Sequence, residues 1–257
     1  MPEITSDWQR AQLPRDKILD APAARQTALS GLDLSQLTIR HGQFDSVDFH
    51  DCVFATATVL DTHFKTCTFH GCDFTDASLT RCTFAAEGRE SVRFRNTDFQ
   101  RASVKDSRLP RAAFERCSLY GAAFEGCDLS GSSFAGSTFS KSYSRKVVMT
   151  EIAFRRCRLR NVDLQRAHLE GADFTGTSLV GADLSEANLA SAVLRDADLA
   201  GVRWVSADLG DADVRGAEIA GLDLLVLKAF ARLRIAPAQQ SALLSELGVT
   251  ISPEEDA

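Results

Sequence analysis

The sequence predicts an all-β solenoid, and three observations predict it. A large apolar residue recurs at every fifth position, in one phase, over most of the chain. The residue two before each such centre is small or modestly apolar, and the residue two after it is often Gly. Neither the 3.6-residue period of a helix nor the two-residue period of a strand accounts for a period of five. A chain that turns a corner every five residues does.

The centres run from Leu29 through Leu34, Ile39, Phe44, Phe49, Phe54, Val59, Phe64, Phe69, Phe74, Leu79 and Phe84. They resume at Phe94 and reach Phe139, then resume at Phe154 and continue through Trp204 to Leu224. Met149 also fits the phase, whereas Arg89 and Ser144 fall in phase but are poor fillers of an apolar column. Four such units make a square coil, with the centre and the residue two before it pointing inward. Stacking coils at strand spacing gives about ten coils and a rod roughly 45 Å long. All seven cysteines (Cys52, Cys67, Cys72, Cys82, Cys117, Cys127 and Cys157) stand two before a centre. They are expected inside, as small apolar fillers.

Composition narrows the function. A formal net charge of −6 argues against nucleic acid as a direct partner. No apolar run approaches a membrane span, and Met1 to Arg25 has no signal-peptide core, so a cytoplasmic setting is expected. The chain has no phosphate loop, dinucleotide fingerprint or zinc spacing. His41, His50, His63, His70 and His168 fall on solvent-facing positions, so no metal and no cofactor is expected. The Asp residues that precede many centres are read as turn residues bonding nearby backbone. No nucleophile–base pair stands out, and the chain is not expected to be an enzyme.

Two interruptions, at about 85–93 and 140–153, are expected to bulge as loops, read either as distorted corners with no role or as projections that touch a partner, the second being the better candidate. They supply Glu87, Arg89 and Glu90 in the first, and Lys141, Tyr143, Arg145 and Lys146 in the second. Residues 1–26 are expected to cap one end. After Leu224 the five-residue order gives way, and 225–251 is expected to be a helical segment, with Pro237 opening a helix and Gly248 closing it. Val249-Thr250-Ile251 reads as a short strand, and 252–257 as a disordered acidic tail. The apolar residues Leu225, Leu227, Phe230, Leu233, Leu243, Leu244 and Leu247 either cap the rod or pair with a second copy in a homodimer.

Segments such as Ala182-Asp183-Leu184-Ser185-Glu186 and Ala187-Asn188-Leu189-Ala190-Ser191 resemble the pentapeptide-repeat family, whose consensus is A(D/N)LXX. The resemblance covers about three quarters of the chain and implies a right-handed quadrilateral β-helix with a short C-terminal α-helical cap. Charge is uneven along it. From Arg40 to Leu159 there are 17 Lys and Arg against 14 Asp and Glu, whereas from Arg160 to Leu224 there are 5 Arg against 12 acidic residues. The acidic set expected to form a surface is Asp163, Glu170, Asp173, Asp183, Glu186, Asp196, Asp198, Asp208, Asp211, Asp213 and Glu218.

The rod, its interruptions, the scattered cysteines and the ending Leu243-Leu244-Ser245-Glu246-Leu247-Gly248-Val249 look like the Qnr and MfpA members of that family. This chain departs from them in its longer N-terminal lead and mildly basic middle. The resemblance implies a DNA mimic that dimerises through its C-terminus, binds DNA gyrase or topoisomerase IV, and confers antibiotic resistance against quinolones or natural topoisomerase poisons. It also gives the larger loop, Ser140 to Ala153, a part in protection. The alternative is a general interaction scaffold. Acidic residues clustered on walls that align across a dimer would favour mimicry, and even scatter would favour the scaffold.

Overall fold

The computed structural model describes Ile4, residues 17–85, 91–144 and 147–249, with the side chains of 143–148 left aside. It is a right-handed quadrilateral β-helix. Each coil pairs in parallel with the next, and the usual register is four pentads, as in Leu19↔Ile39 and Phe49↔Phe69. The four walls are therefore columns of centres. The first runs Leu29, Phe49, Phe69, Phe94, Phe114, Phe134, Leu164, Leu184, Trp204. The second contains Leu34, Phe54, Phe74, Phe99, Leu119, Phe139, Leu169, Leu189 and Leu209. The third runs from Leu19 through Phe124, Phe154 and Phe174 to Val214, and the fourth from Ala24 through Phe44 and Leu129 to Ile219.

The residues two before the centres fill the space between columns. The seven cysteines are buried there as free thiols, donating weakly to backbone carbonyls of the preceding coil, as Cys67 Sγ does to Phe44 O at 3.5 Å. Rings stack along the walls: Phe69 lies 4.7 Å from Phe49 and 5.0 Å from Phe94, centroid to centroid. Corners form because the residue two after each centre takes a left-handed conformation, for example φ +57° at Thr56 and +65° at Gly71. A backbone bond from the third residue after the centre back to the centre carbonyl closes the turn, as in Ala57 N to Phe54 O at 2.9 Å. The Asp before a centre caps this turn. Asp73 Oδ1 accepts from Thr75 N at 2.8 Å and Asp183 Oδ1 from Ser185 N at 3.0 Å, which is the turn role read from the sequence.

The register shows where extra chain leaves the coil. It rises to five pentads at Ser78↔Ser103 and Phe69↔Phe94, so one pentad is surplus there. The bridge Ala85↔Ser91 is antiparallel and closes the base of that excursion. It rises to six pentads at Phe124↔Phe154, and there the two surplus pentads form a β-hairpin of Ser140–Ser144 paired with Val147–Thr150. Met149 sits on this hairpin and is 44% exposed, so it is not a core centre as its phase suggested. Ile152 and Ala153, placed in the loop by sequence, are buried parts of the next coil. A cleft of about 350 Å³ opens at the hairpin's root, between Phe134 and Phe139 on one coil and Leu164 and Ala167 on the next.

Both ends differ from expectation. The solenoid begins before residue 27: Ile18–Asp20 and Ala23–Ser30 already pair into the ladder, and Leu19 and Ala24 are core residues in phase with Leu29. Ile4 is buried in the same phase, its N–H bonded to Ala23 O at 2.9 Å. The rest of the expected N-terminal cap, 1–3 and 5–16, lies outside the described residues. At the other end, 225–235 forms no α-helix. After a 3₁₀ turn at Leu224–Val226 it adds one more partial coil. Its bridges Asp208↔Ala229 and Asp213↔Arg234 are offset by four pentads and one residue more. The helix proper is Gln240–Glu246, entered through a 3₁₀ turn at Pro237–Gln239 and left at Gly248 with φ +73°. Val249 is not in a strand, and Thr250, Ile251 and the tail lie outside the described residues.

Candidate interaction surfaces

The corners and wall rows carry the surface chemistry, because stacked coils place each residue beside its counterpart one coil on. Opposite charges in one row then meet: Arg81 forms a two-bond pair with Asp61 (2.7 and 2.8 Å), Arg101 with Asp76, and Arg166 with Glu186. The Arg81 guanidinium holds the Asp61 carboxyl below the usual range. Asp213 is the tightest case. It is buried, and its oxygens accept from Arg215 and Arg195 at 2.7 to 2.8 Å, which hold its pKa far below the ordinary value.

The predicted acidic surface divides accordingly. Asp163, Asp183 and Glu186 belong to the first wall, Glu170, Asp208 and Asp211 to the second, Asp173, Asp196 and Asp213 to the third, and Asp198 and Glu218 to the fourth. That spread is what a general binding scaffold predicts. Six of these carboxylates are also matched by cations: Asp173 by Arg155, Asp183 by Arg203, Glu186 by Arg166, Asp208 by Lys228, Asp211 by Arg232, and Asp213 by two arginines. Among the described residues, Asp163, Glu170, Asp196, Asp198 and Glu218 have no ion pair. Three of these five gather at one corner: Asp198 and Glu218 are bridge partners on the fourth wall, and Asp196 precedes Asp198 at the adjoining turn. That wall has no Lys or Arg from Thr177 to Gly181, Ala197 to Gly201 or Ala217 to Gly221.

Of the loop residues, Lys141 is exposed on the hairpin, its ammonium 5.9 Å from the centroid of the Tyr120 ring. Tyr120 is 6% exposed although it occupies an outward position, a burial that repeat phase alone did not signal. The backbone of Tyr143 belongs to the same strand. Arg145, Lys146, Glu87, Arg89 and Glu90 lie outside the described residues.

The C-terminal apolar set also separates. Leu243 is buried against the last coil, and Leu227 and Leu233 are partly buried on the core, so these hold the cap in place. Leu244 is half-buried, and Leu225, Phe230 and Leu247 are exposed, together with Val226 and Val249. Gln239 is the residue that sequence reasoning missed. Its Nε2 donates to Val214 O and Ala217 O, both at 2.8 Å, and its Oε1 accepts from Ala236 N at 2.7 Å, which satisfies carbonyls left open at the rod's end. A Gln at the mouth of an amphipathic helix carries no sequence mark of that role.

The family model for the pentapeptide repeat region matches residues 43–124, and the model for pentapeptide repeats, in eight copies, matches 117–143 and 154–190. The chain belongs to the pentapeptide-repeat family. Among solved structures, QnrB1, a plasmid-mediated fluoroquinolone resistance protein, is similar over 90% of this chain and 100% of its own, with 20% identity and a TM-score of 0.55. A trypsin-treated single-substitution form of QnrB1 aligns over the same shares with 18% identity and a TM-score of 0.62. At these identities the likeness establishes the fold. No curated protein matches the sequence. Among the described residues no group of three or more His, Cys, Asp or Glu is placed to hold a metal ion, and no helix is long and apolar enough to cross a membrane.

Proposed function

We propose that this pentapeptide-repeat protein is a non-catalytic, cytoplasmic binding rod that engages DNA gyrase or topoisomerase IV and protects it from quinolone or natural-product poisons. The observation that carries the reading is the uncompensated acidic corner of Asp196, Asp198 and Glu218. It runs along the last coils of the fourth wall, which carry no Lys or Arg from Thr177 onward, toward the exposed apolar residues Leu225, Phe230 and Leu247 at the rod's end. Two copies joined there carry one electronegative strip across the junction, on a rod of about the girth of a duplex, which suits a cationic DNA-binding saddle. The QnrB1-like architecture, with its fluoroquinolone-resistance association, supports the same partner. The hairpin Ser140–Thr150, with Lys141 exposed, is the proposed second point of contact.

Binding of immobilised full-length protein to gyrase and to topoisomerase IV, with and without competing duplex DNA, tests this. The reading expects saturable binding that DNA displaces and that D196N/D198N/E218Q weakens at least about tenfold. A second reading, a scaffold for an unrelated partner, is favoured by the spread of acidic residues over all four walls and their neutralisation by arginines. Binding to neither topoisomerase selects it.

A further inference from the structure

The backbone ladder opens on the coil from which the hairpin leaves. One coil below, the corner between the first and second walls is fully bonded. Phe114 N donates to Ser133 O at 2.8 Å, Arg116 N to Ala135 O at 2.9 Å and Leu119 N to Thr138 O at 2.7 Å. One coil above it is bonded again, Leu164 N to Asp183 O at 3.0 Å, Arg166 N to Ser185 O at 3.0 Å and Leu169 N to Asn188 O at 2.7 Å. Between them the pattern stops. Asp163 N still donates to Ser132 O at 3.1 Å, and pairing resumes on the third wall with Asp173 N to Ile152 O at 3.1 Å. Among the described residues, Phe134 N, Gly136 N and Phe139 N do not reach the carbonyls of Asp163, Gln165 and His168, and Thr138 forms no bridge with His168. The two separated edges are the lips of the 350 Å³ cleft already described. Its floor is the core side chains Phe134, Phe139, Leu164 and Ala167. Ser137, on an inward position, is half-buried here, whereas Cys117 one coil below is buried.

We propose that this open edge binds an extended segment of a partner protein, which joins the ladder as an added strand. The unpaired backbone selects the occupant. Amides and carbonyls left open beside a buried core are costly. A small ion or a water satisfies one or two of them, whereas another main chain repeats donor and acceptor at the step of the edge. Running parallel to the coils, the segment accepts from the N–H groups of Phe134, Gly136 and Phe139 and donates to the carbonyls of Asp163, Gln165 and His168. The edge turns at Gly136, whose φ is +66°, so the segment turns with it, which favours Gly, Asn or Asp at its middle. Its inward side chains meet Phe139, Leu164 and Ala167. An aliphatic residue followed three positions later by a small one fits, as Leu184 and Ala187 do in the corner above.

The test uses the full chain and a labelled peptide copied from Ala182–Ala190, the stretch that pairs with Leu164–Leu169, carrying Glu186→Gly for the turn. The comparison probe is the same peptide N-methylated at the positions of Leu184, Gly in place of Glu186, and Leu189, which removes the three amides that would donate. Fluorescence anisotropy is expected to show saturable binding that N-methylation weakens at least about tenfold, because several main-chain bonds are lost together. Hydrogen exchange gives the second readout. In the chain alone, 134–139 should exchange faster than 114–119 one coil below, and the peptide should slow it. The chain lacking Lys141–Thr150 has no hairpin to interrupt that coil, so its ladder is expected to close, with slow exchange and no peptide binding. Slow exchange at 134–139 in the intact chain, or no binding of the peptide, overturns the proposal. Equal binding of the N-methylated probe overturns main-chain pairing, and binding that survives the hairpin deletion places it at another edge.

Discussion

Phe69 lies in a file of parallel rings, with Phe49 below and Phe94 above, and meets Phe64, Phe74 and Phe84 edge-on. Removing such a ring leaves a void that neighbours fixed by the ladder fill poorly. Phe69→Ala is expected to destabilise the rod by about 3–5 kcal/mol, measured by chemical denaturation. Gly42 makes the opposite point. It stands where most pentads place Ala or Cys, and a Cβ there would come within 2.9 Å of Phe44 Cε2 and Thr62 Cγ2. Gly42→Ala should therefore cost about 1–3 kcal/mol by overpacking, although Ala suits that position elsewhere. Asp213 sets a pH dependence. Arg215 and Arg195 depress its pKa in the folded state below the unfolded value of about 3.9. Its stabilisation is thus complete at neutral pH and is lost as pH falls below about 4 toward the folded-state pKa. Asp213→Asn is expected to lower stability by about 2 kcal/mol at pH 7, with the difference from the native chain shrinking in acid. These inward and corner roles were legible in the sequence, since one phase of five placed every cysteine and every phenylalanine but Phe230. The pairing of Asp213 with Arg195 was not, because two residues on successive coils are seen as neighbours only once the coil length at that point is known.

At the scale of elements, the register gives the insertions their true bounds. Deleting Lys141–Thr150 joins Ser140 to Glu151, removes the two surplus pentads between Phe124 and Phe154, and leaves Ile152 in the core. The shortened chain is expected to keep its melting temperature within a few degrees and, on the proposed function, to lose most of the protection it would give a topoisomerase. Full protection by that variant would make the hairpin a passive bulge. A cut reaching Ile152 should destabilise instead, because it removes a buried residue. Sequence phase could not find these bounds, since one or two extra pentads leave a period of five intact. Met149 shows why phase alone is not enough: it holds the phase while lying on the hairpin, within the segment expected to bulge. The C-terminal segment misled differently. Leu225 to Ile235 is apolar enough for a helix, yet the open edge of the last coil offers unpaired backbone, and pairing with it gives Lys228 N and Arg234 N their acceptors.

For the whole molecule, the exposed residues Leu225, Phe230 and Leu247 sit at an end that Leu243 and Gln239 already close within one chain. A second copy is the proposed cover for that apolar surface. Leu225→Asp with Phe230→Asp is expected to give a monomer by light scattering with its fold unchanged, because neither side chain is needed inside the cap. A dimer that survives the change would place the contact elsewhere. Charge along the rod was readable as a sum from the sequence but not as a surface, since ion pairs cancel six of the eleven acidic residues of the expected surface and leave five, three of which gather at the Asp196, Asp198 and Glu218 corner. The most direct measurement is gyrase cleavage-complex formation with a quinolone present, titrating this protein from below to well above the enzyme concentration. The account predicts fewer cleaved complexes and recovered supercoiling, with the D196N/D198N/E218Q chain protecting poorly. Cleavage unchanged at every ratio, for gyrase and topoisomerase IV and with several poisons, would contradict it.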